Sequence, residues 1–272
     1  MLLLRDILDS PHITKDVWLR HNYFSLIDKY YDEVIVVGQQ SVFDTTAEYD
    51  FPSSIKSKTY FCGYLKRTYD DNRDEIRHQQ IQVGQKMVVV AAGGGNDGRE
   101  ILSTYINGIK NSAWKDKIRS VIFYGPEMDE HDYVGLMESV RGVNNITLME
   151  FTSDFMSYLS AADLVVTMGG YNTVCEIISL HKAAIIVPRA TPVAEQLIRA
   201  ECFSRLEILE YIHPCNLNSV ILMEKVHRQL FLDVPSKKKN QINFSGMEAL
   251  ECKLLFQPTR NGCEQTLRES RI

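Results

Sequence analysis

The sequence predicts an α/β fold, a doubly wound parallel sheet, followed and preceded by shorter segments. Three observations point there. From residue 85 to residue 232, short apolar runs rich in β-branched residues alternate with helix-period segments, the pattern of parallel strands joined by right-handed crossovers. The runs end in turns carrying glycine or proline, such as Gly93-Gly94-Gly95, Gly125-Pro126, Gly169-Gly170 and Pro188-Arg189. The carboxyl ends of parallel strands form one edge, so these turns should gather on a single ligand-binding side.

Composition sets the class. With 272 residues, 44% hydrophobic and 24% charged, the chain has room for one large or two modest globular domains. A formal charge of −5 argues against a nucleic-acid binder that works by neutralising phosphates. Cys62, Cys175, Cys202, Cys215, Cys252 and Cys263 form no CxxC pair and have no histidine at zinc spacing. They read as reduced thiols of a cytoplasmic protein, with no metal site expected. Met1-Leu2-Leu3-Leu4 is too short for a signal peptide and runs into Arg5 and Asp6. No apolar run approaches the roughly 20 residues a membrane span needs.

Residues 1–65 read as the remnant of a first domain. Residues 4–9 leave a strand for a loop, and a helix is expected over 15–31 because Trp18, Leu19, Tyr23, Leu26, Ile27 and Tyr30 recur at near-helical spacing. Residues 32–38 form a buried strand ending at Gly38, a short helix falls near 41–49, and 58–64 is extended. One strand with flanking helices cannot close a sheet, so this portion should dock on the following domain or on a partner. Polar residues 66–84 are the expected hinge or linker.

The second domain, 85–232, should carry strands at 87–91, 120–124, 146–150, 164–167 and 183–187. Helices are expected over 99–111, 133–141, 153–160, from Asn172 or Thr173 onward, over 192–205 and over 217–232. Residues 233–272 read as a lysine-bearing linker, a packing helix over 246–256 and a polar tail. Lys237, Lys238 and Lys239 on an acidic background do not make a nucleic-acid site.

The chemistry concentrates in residues 165–178. Gly169 and Gly170 let the backbone approach a ligand without Cβ interference. Asn172 or Thr173 would N-cap the helix that follows, whose free N–H groups and positive dipole end suit a diphosphate. Glu176, about one turn inside, could accept two hydrogen bonds from a ribose diol or reach back to the turn as a capping box; the residues leave both open. Gly93 to Gly98 fits the Rossmann-like pattern G-x-G-x-x-G. The next strand, however, ends in Tyr124-Gly125-Pro126 rather than the acidic residue an NAD ribose requires, and no Walker lysine follows the loop. Two glycine-lined anion sites with one ribose-binding carboxylate describe a nucleotide-diphosphate pocket better than a dinucleotide crevice. The alternative is glycines that only make tight turns.

These stretches, together with 151–156 and 188–196, resemble the C-terminal donor-binding domain of family 28 glycosyltransferases. Those are GT-B enzymes related to the N-acetylglucosaminyltransferase that completes the lipid-linked peptidoglycan precursor. A subgroup of predicted bacterial glycosyltransferases resembles the chain further, at 4–9 and 61–64, and the resemblance spans 1–232. It implies hexosyl transfer from a UDP-sugar to an acceptor hydroxyl. Gly94, Gly95 and Asn96, in the loop bounded by Gly93 and Gly98, would lie against the donor phosphates, and Thr152 near the base with Met156 packing on it. Gly169, Gly170, Asn172 and Thr173 would present the helix start to the diphosphate, and Glu176 would hold the ribose. Glu195 and Gln196 would contact the donor sugar, although their local pattern is that of an exposed first turn, and Asp97 would cap a helix. No metal or resident cofactor is implied, since helix dipoles and N–H groups can stabilise a leaving diphosphate.

A full GT-B enzyme has an acceptor domain that normally supplies the catalytic base. Only its last portion matches residues 1–65, and neither His12 nor His21 sits in a glycine-rich loop after a first strand, so no base is assigned. A truncated enzyme, one half of a split enzyme and a misplaced start all fit. Expected partners are the nucleotide-sugar donor, an acceptor-domain subunit or a second copy, and a membrane surface reached through a lipid-linked acceptor. Competing functions are a non-catalytic nucleotide-sugar-binding module and an NAD(P)-dependent oxidoreductase.

Overall fold

The computed structural model describes residues 1–94, 97–232 and 241–255. The chain opens with β1 (Leu2–Arg5), α1 (Pro11–Arg20), α2 (Tyr23–Tyr30), β2 (Val34–Val37), α3 (Thr45–Glu48), α4 (Ser53–Lys56) and β3 (Thr59–Phe61). The three strands form a parallel sheet in the order β1-β2-β3. The expectation of one lone strand is therefore corrected. Only β2 is buried along its whole length, and the flanking strands alternate between half-buried and exposed over three or four residues, too short for a period-2 signal to stand out. The expected single helix over 15–31 is also corrected. It breaks at His21-Asn22, where Asn22 takes a left-handed φ of 56°. The break lets both helices fold on one aromatic cluster, with the Trp18 ring 5.3 Å from Phe24 and 5.4 Å from Phe51.

The second part runs α5 (Arg73–Gln80), β4 (Lys86–Ala91), α6 (Arg99–Asn111), β5 (Ile118–Phe123), α7 (Glu130–Ser139), β6 (Ile146–Met149), α8 (Phe155–Ala161) and β7 (Leu164–Thr167). It continues through α9 (Tyr171–Ser179), β8 (Ala184–Ile186), α10 (Glu195–Arg205), β9 (Glu210–Tyr211), α11 (Ser219–Phe231) and α12 (Gly246–Leu255). Its six strands are all parallel, in the order β6-β5-β4-β7-β8-β9. The winding reverses between β4 and β7, and ligands of open parallel sheets bind at the carboxyl side of such a reversal. The two-residue strand β9 was not foreseen, being shorter than any pattern could mark.

Alternation along β4 decides how the parts join. Val88 and Val90 pack with Ile101, Ile106 and Leu222 on one face. Met87, Val89 and Ala91 face the other way, into a cluster that continues into Ile35 and Val37 of the first sheet and Tyr64 just after it. Each such side chain contributes roughly 1.5–3 kcal/mol on burial, so the two sheets share a core rather than touch at a seam. Residues 66–84 are tied to α8: the Asn72 backbone N–H donates to Ser157 Oγ at 3.1 Å and Arg77 Nη1 to the Ala161 carbonyl at 2.5 Å. α12 returns to the first sheet. The Tyr64 N–H donates to the Asn243 carbonyl (2.8 Å), the Gly246 N–H to the Tyr64 carbonyl (3.1 Å), and Lys253 pairs with Glu33 at 3.0 Å.

Candidate functional site

The turn from β7 into α9 forms one wall. Gly169 has φ +88°, and a Cβ there would lie 2.6 Å from Ile186 Cγ2, so the position admits only glycine. Gly170 is the N-cap, with no side-chain capping bond, and α9 begins at Tyr171. This corrects the expectation that Asn172 or Thr173 caps the helix. Both instead sit in its first turn and line a cavity of about 340 Å³. Gly170 has no side chain with which to cap the N–H groups of this turn, and no capping bond to it is made among the described residues, which opens them to a ligand or to water.

The opposite wall comes from the loops after β4, β5 and β6. Gly125, at φ +84°, backs directly on the glycine loop: a Cβ there would stand 2.4 Å from the Gly93 carbonyl oxygen. The Glu127 N–H donates to the Gly94 carbonyl at 2.7 Å and holds the same loop. Gly93, Pro126, Glu150, Phe151 and Thr152 reach the cavity, with Phe123 and Phe155 beneath them. The two phenylalanine rings meet edge to face at 5.1 Å. Phe151 is 70% exposed, an aromatic surface standing open at the rim.

Glu176 projects into this cavity from α9 and is buried to 9% exposure. Burial raises its pKa above the ordinary carboxylate value, and the positive charge of Arg67 partly offsets the rise. Arg67 Nη1 lies 3.8 Å from Glu176 Oε1 on a side chain that is 66% exposed, so the pair is screened and Arg67 is free to turn toward an anion. The capping-box alternative for Glu176 gains no support from the helix start, where Gly170 carries no side-chain cap. The site therefore combines an aromatic wall, one desolvated carboxylate, a helix start and an exposed cation.

Not every expected residue is here. Met156 is 3% exposed in the core, and its neighbour Phe155 lines the cavity in its place. Gly98 serves packing, since a Cβ there would meet Ala92 Cβ at 2.1 Å. Asp97 does not cap α6; its Oδ2 accepts from Arg189 Nη1 at 2.9 Å. Glu195 lies beside the buried Arg199 guanidinium, 2.7 Å from Nη2, and Gln196 Oε1 accepts from the Arg189 N–H at 3.0 Å. Neither belongs to the cavity lining, because both are held by partners on their own side of the turn. Gly95 and Asn96 lie outside the described residues. Arg67, Phe123 and Glu150 were missed; Arg67 sits in a polar linker with no local signal, and only the tertiary fold brings it to α9. Asp129, His131 and Asp132 form a separate cluster of ligating atoms within 4.8 Å, but Asp129 caps α7 and Asp132 pairs with Arg99 at 2.6 Å.

Comparison with known proteins identifies the family of the chain. The family model described as the glycosyltransferase family 28 C-terminal domain matches residues 87–247. A protein of Finegoldia magna, named UDP-N-acetylglucosamine--N-acetylmuramyl-(pentapeptide) pyrophosphoryl-undecaprenol N-acetylglucosamine transferase, is 27% identical over 154 residues, 56% of this chain and 41% of its own length. The protein of the same name from Clostridioides difficile is 24% identical over 197 residues, 70% of this chain and 48% of its own length. The chain thus spans less than half the length of either relative. Among solved structures, the glycotransferase of kitacinnamycin shares the fold with a TM-score of 0.60 at 13% identity, over 89% of this chain and 65% of that one.

Proposed function

Because the chain belongs to the glycosyltransferase family 28 C-terminal domain family, we propose that its cavity binds a UDP-sugar and that the chain serves hexosyl transfer from that donor to an acceptor hydroxyl. One observation carries the reading: Glu176, a desolvated carboxylate, stands between an aromatic wall and a helix start that no side chain caps among the described residues. The base would lie along Phe151 and Thr152, the ribose diol would donate to Glu176, and the diphosphate would meet the first turn of α9 at Gly170, Asn172 and Thr173. Arg67 would add a charge-assisted contact to the phosphates. Gly93 and Gly94 would close over them from the other wall, with Gly95 and Asn96 part of the same loop in the family pattern. A sugar leaving the diphosphate would face α10, which keeps Glu195 and Gln196 as candidates for sugar contact once a donor is bound. No metal is needed, since the helix start can stabilise the departing diphosphate.

The relatives' name specifies UDP-N-acetylglucosamine, so UDP is the nucleotide to test first. It also specifies a pyrophosphoryl-undecaprenol acceptor, and a lipid-carried acceptor would bring this chain to a membrane surface. No described helix is long and apolar enough to cross a membrane. A cytoplasmic site of action belongs to the same proposal, supported by the free thiols Cys62, Cys175, Cys202, Cys215 and Cys252. An acceptor-binding subunit or a second copy of the chain is a further proposed partner.

In a thermal-shift panel UDP should stabilise the fold by about 2.7 kcal/mol at a hundred times its Kd, with NAD and ATP without effect. Stabilisation by NAD instead would return the chain to the oxidoreductases. Glu176→Ala should weaken UDP binding by about 1–3 kcal/mol, a loss of roughly 5- to 150-fold, through the lost hydrogen bonds to a charged group. Calorimetry on both proteins decides it; equal affinities would remove Glu176 from the site.

A further inference from the structure

Behind the α9 turn, on the side away from the cavity, lies a polar cluster that belongs to neither wall. Arg199 of α10 is 1% exposed, the one buried cation among the described residues. Its Nη1 donates to the Gly169 carbonyl at 3.4 Å. Its Nη2 sits 2.7 Å from Glu195 Oε1 and 4.0 Å from Oδ1 of Asp6, in ion-pair rather than hydrogen-bond geometry, and Nε has no acceptor among the described residues. Asp6 is fully buried at the end of β1, where it accepts from the Ile7 N–H at 2.8 Å and from the Tyr64 hydroxyl at 2.7 Å. Tyr171, the first residue of α9, has its ring 5.4 Å from the guanidinium carbons of both Arg5 and Arg199. Its hydroxyl donates to the Val37 carbonyl at 3.3 Å.

A buried guanidinium with incomplete hydrogen bonding depends on every partner it has, because removing one leaves charge uncompensated in a dry interior. Two of those partners, the Gly169 carbonyl and the Tyr171 ring, belong to the turn and helix start that face the cavity on their other side. A third, Asp6, belongs to the first sheet. We propose that Arg199 and Asp6 are positioning residues: they hold the Gly169–Gly170 turn and the start of α9 in the shape that receives a diphosphate. The first sheet thereby sets the affinity of a site to which it lends no lining residue except through the segment at Arg67. The inference rests on the donor-binding reading above.

The test uses the full chain with two probes, UDP by calorimetry and uridine by NMR titration, since they differ only in the diphosphate. Asp6→Asn removes the charge while its amide oxygen can still accept from the Ile7 N–H and its NH2 can donate to the Tyr64 hydroxyl oxygen, Arg199→Met removes the cation, and Arg199→Lys restores it. Asp6→Asn and Arg199→Met should lower the ratio of UDP to uridine affinity about tenfold, with uridine binding unchanged and partial recovery in Arg199→Lys. General loosening of the fold would lower both affinities together, and that result, or an unchanged ratio in folded Asp6→Asn or Arg199→Met, overturns the proposal. Equal wild-type affinities for UDP and uridine overturn it as well. A wild-type chain that binds neither probe fails the donor reading itself. Should Arg199→Met not fold, Asp6→Asn and Arg199→Lys still decide the matter.

Discussion

The purified chain should bind UDP yet turn over a UDP-sugar at a rate near the uncatalysed background. Every group proposed to hold the nucleotide lies at the carboxyl edge of the six-stranded sheet or at Arg67, within this one chain. Transfer needs a base beside the acceptor hydroxyl and a surface that orients the acceptor and excludes water. Among the described cavity residues the only acids are Glu150 and Glu176, and no histidine is present. His12 lies on the exposed face of α1 beside Asp16 at 3.5 Å, and His21 stacks on Tyr23 at 5.5 Å, so neither serves this cavity. General-base catalysis typically contributes roughly 10²–10⁴-fold and orientation can contribute more, which sets the scale of the deficit. A donor-turnover assay with a broad acceptor set, lipid-linked sugars included, run beside UDP calorimetry, checks it. Robust transfer by the isolated chain would refute the expectation and make Glu150 the first residue to substitute.

The second large effect concerns a residue that touches no ligand. Gly125→Ala should cost roughly 2–5 kcal/mol of stability and abolish most UDP binding. A Cβ at φ +84° carries a left-handed penalty of about 1–2 kcal/mol. It would also drive into the Gly93 carbonyl oxygen at 2.4 Å and the Gly94 carbonyl carbon at 2.5 Å, where backbone rather than a flexible side chain must give way, adding about 1–3 kcal/mol. The loop that yields is the one proposed to face the diphosphate. Gly142→Ala is the control, because that glycine has φ +75° but nothing within 4 Å of an added Cβ. It should show only the conformational cost and bind UDP normally. Denaturant unfolding of both variants separates the two contributions; equal losses would mean that the Gly93–Gly125 contact carries no weight.

The alternating half of the fold was legible because each of its longer strands is a β-branched run closed by a turn residue, as in Val88-Val89-Val90-Ala91 before Gly93. The first sheet was not, since β1 and β3 acquire their identity only by pairing with β2, and pairing leaves no trace in so few residues. At the site, Glu176, Asn172, Thr173, Thr152 and Gly93 were legible from turn chemistry and family pattern, and the structure brings them to one cavity. Met156 and Phe155 exchanged roles because a shift of one residue in a helix start rotates a side chain by about a quarter turn. Glu195 looked like an exposed first-turn residue because its partner, Arg199, lies one turn along the same helix, and no pattern tells a surface pair from a buried one. Asp97 and Arg189 likewise meet only because two loops converge at one edge.

The return of α12 to the first sheet bears on the order in which the molecule can be assembled. Tyr64 gives its N–H to Asn243 and receives the Gly246 N–H on its carbonyl, so the backbone that closes the first sheet is satisfied by residues near the opposite end of the chain. During synthesis the first sheet leaves the ribosome long before that helix exists. At about 5–20 residues per second the wait is on the order of 10–40 s, and in that interval the faces of β2 and the Tyr64 backbone have no permanent cover. Contacts so distant in sequence also make refolding slow, because the intervening chain must be closed into a loop before they form. The first sheet is thus made well before the residues that complete it, and within this chain it is among the last elements to be finished.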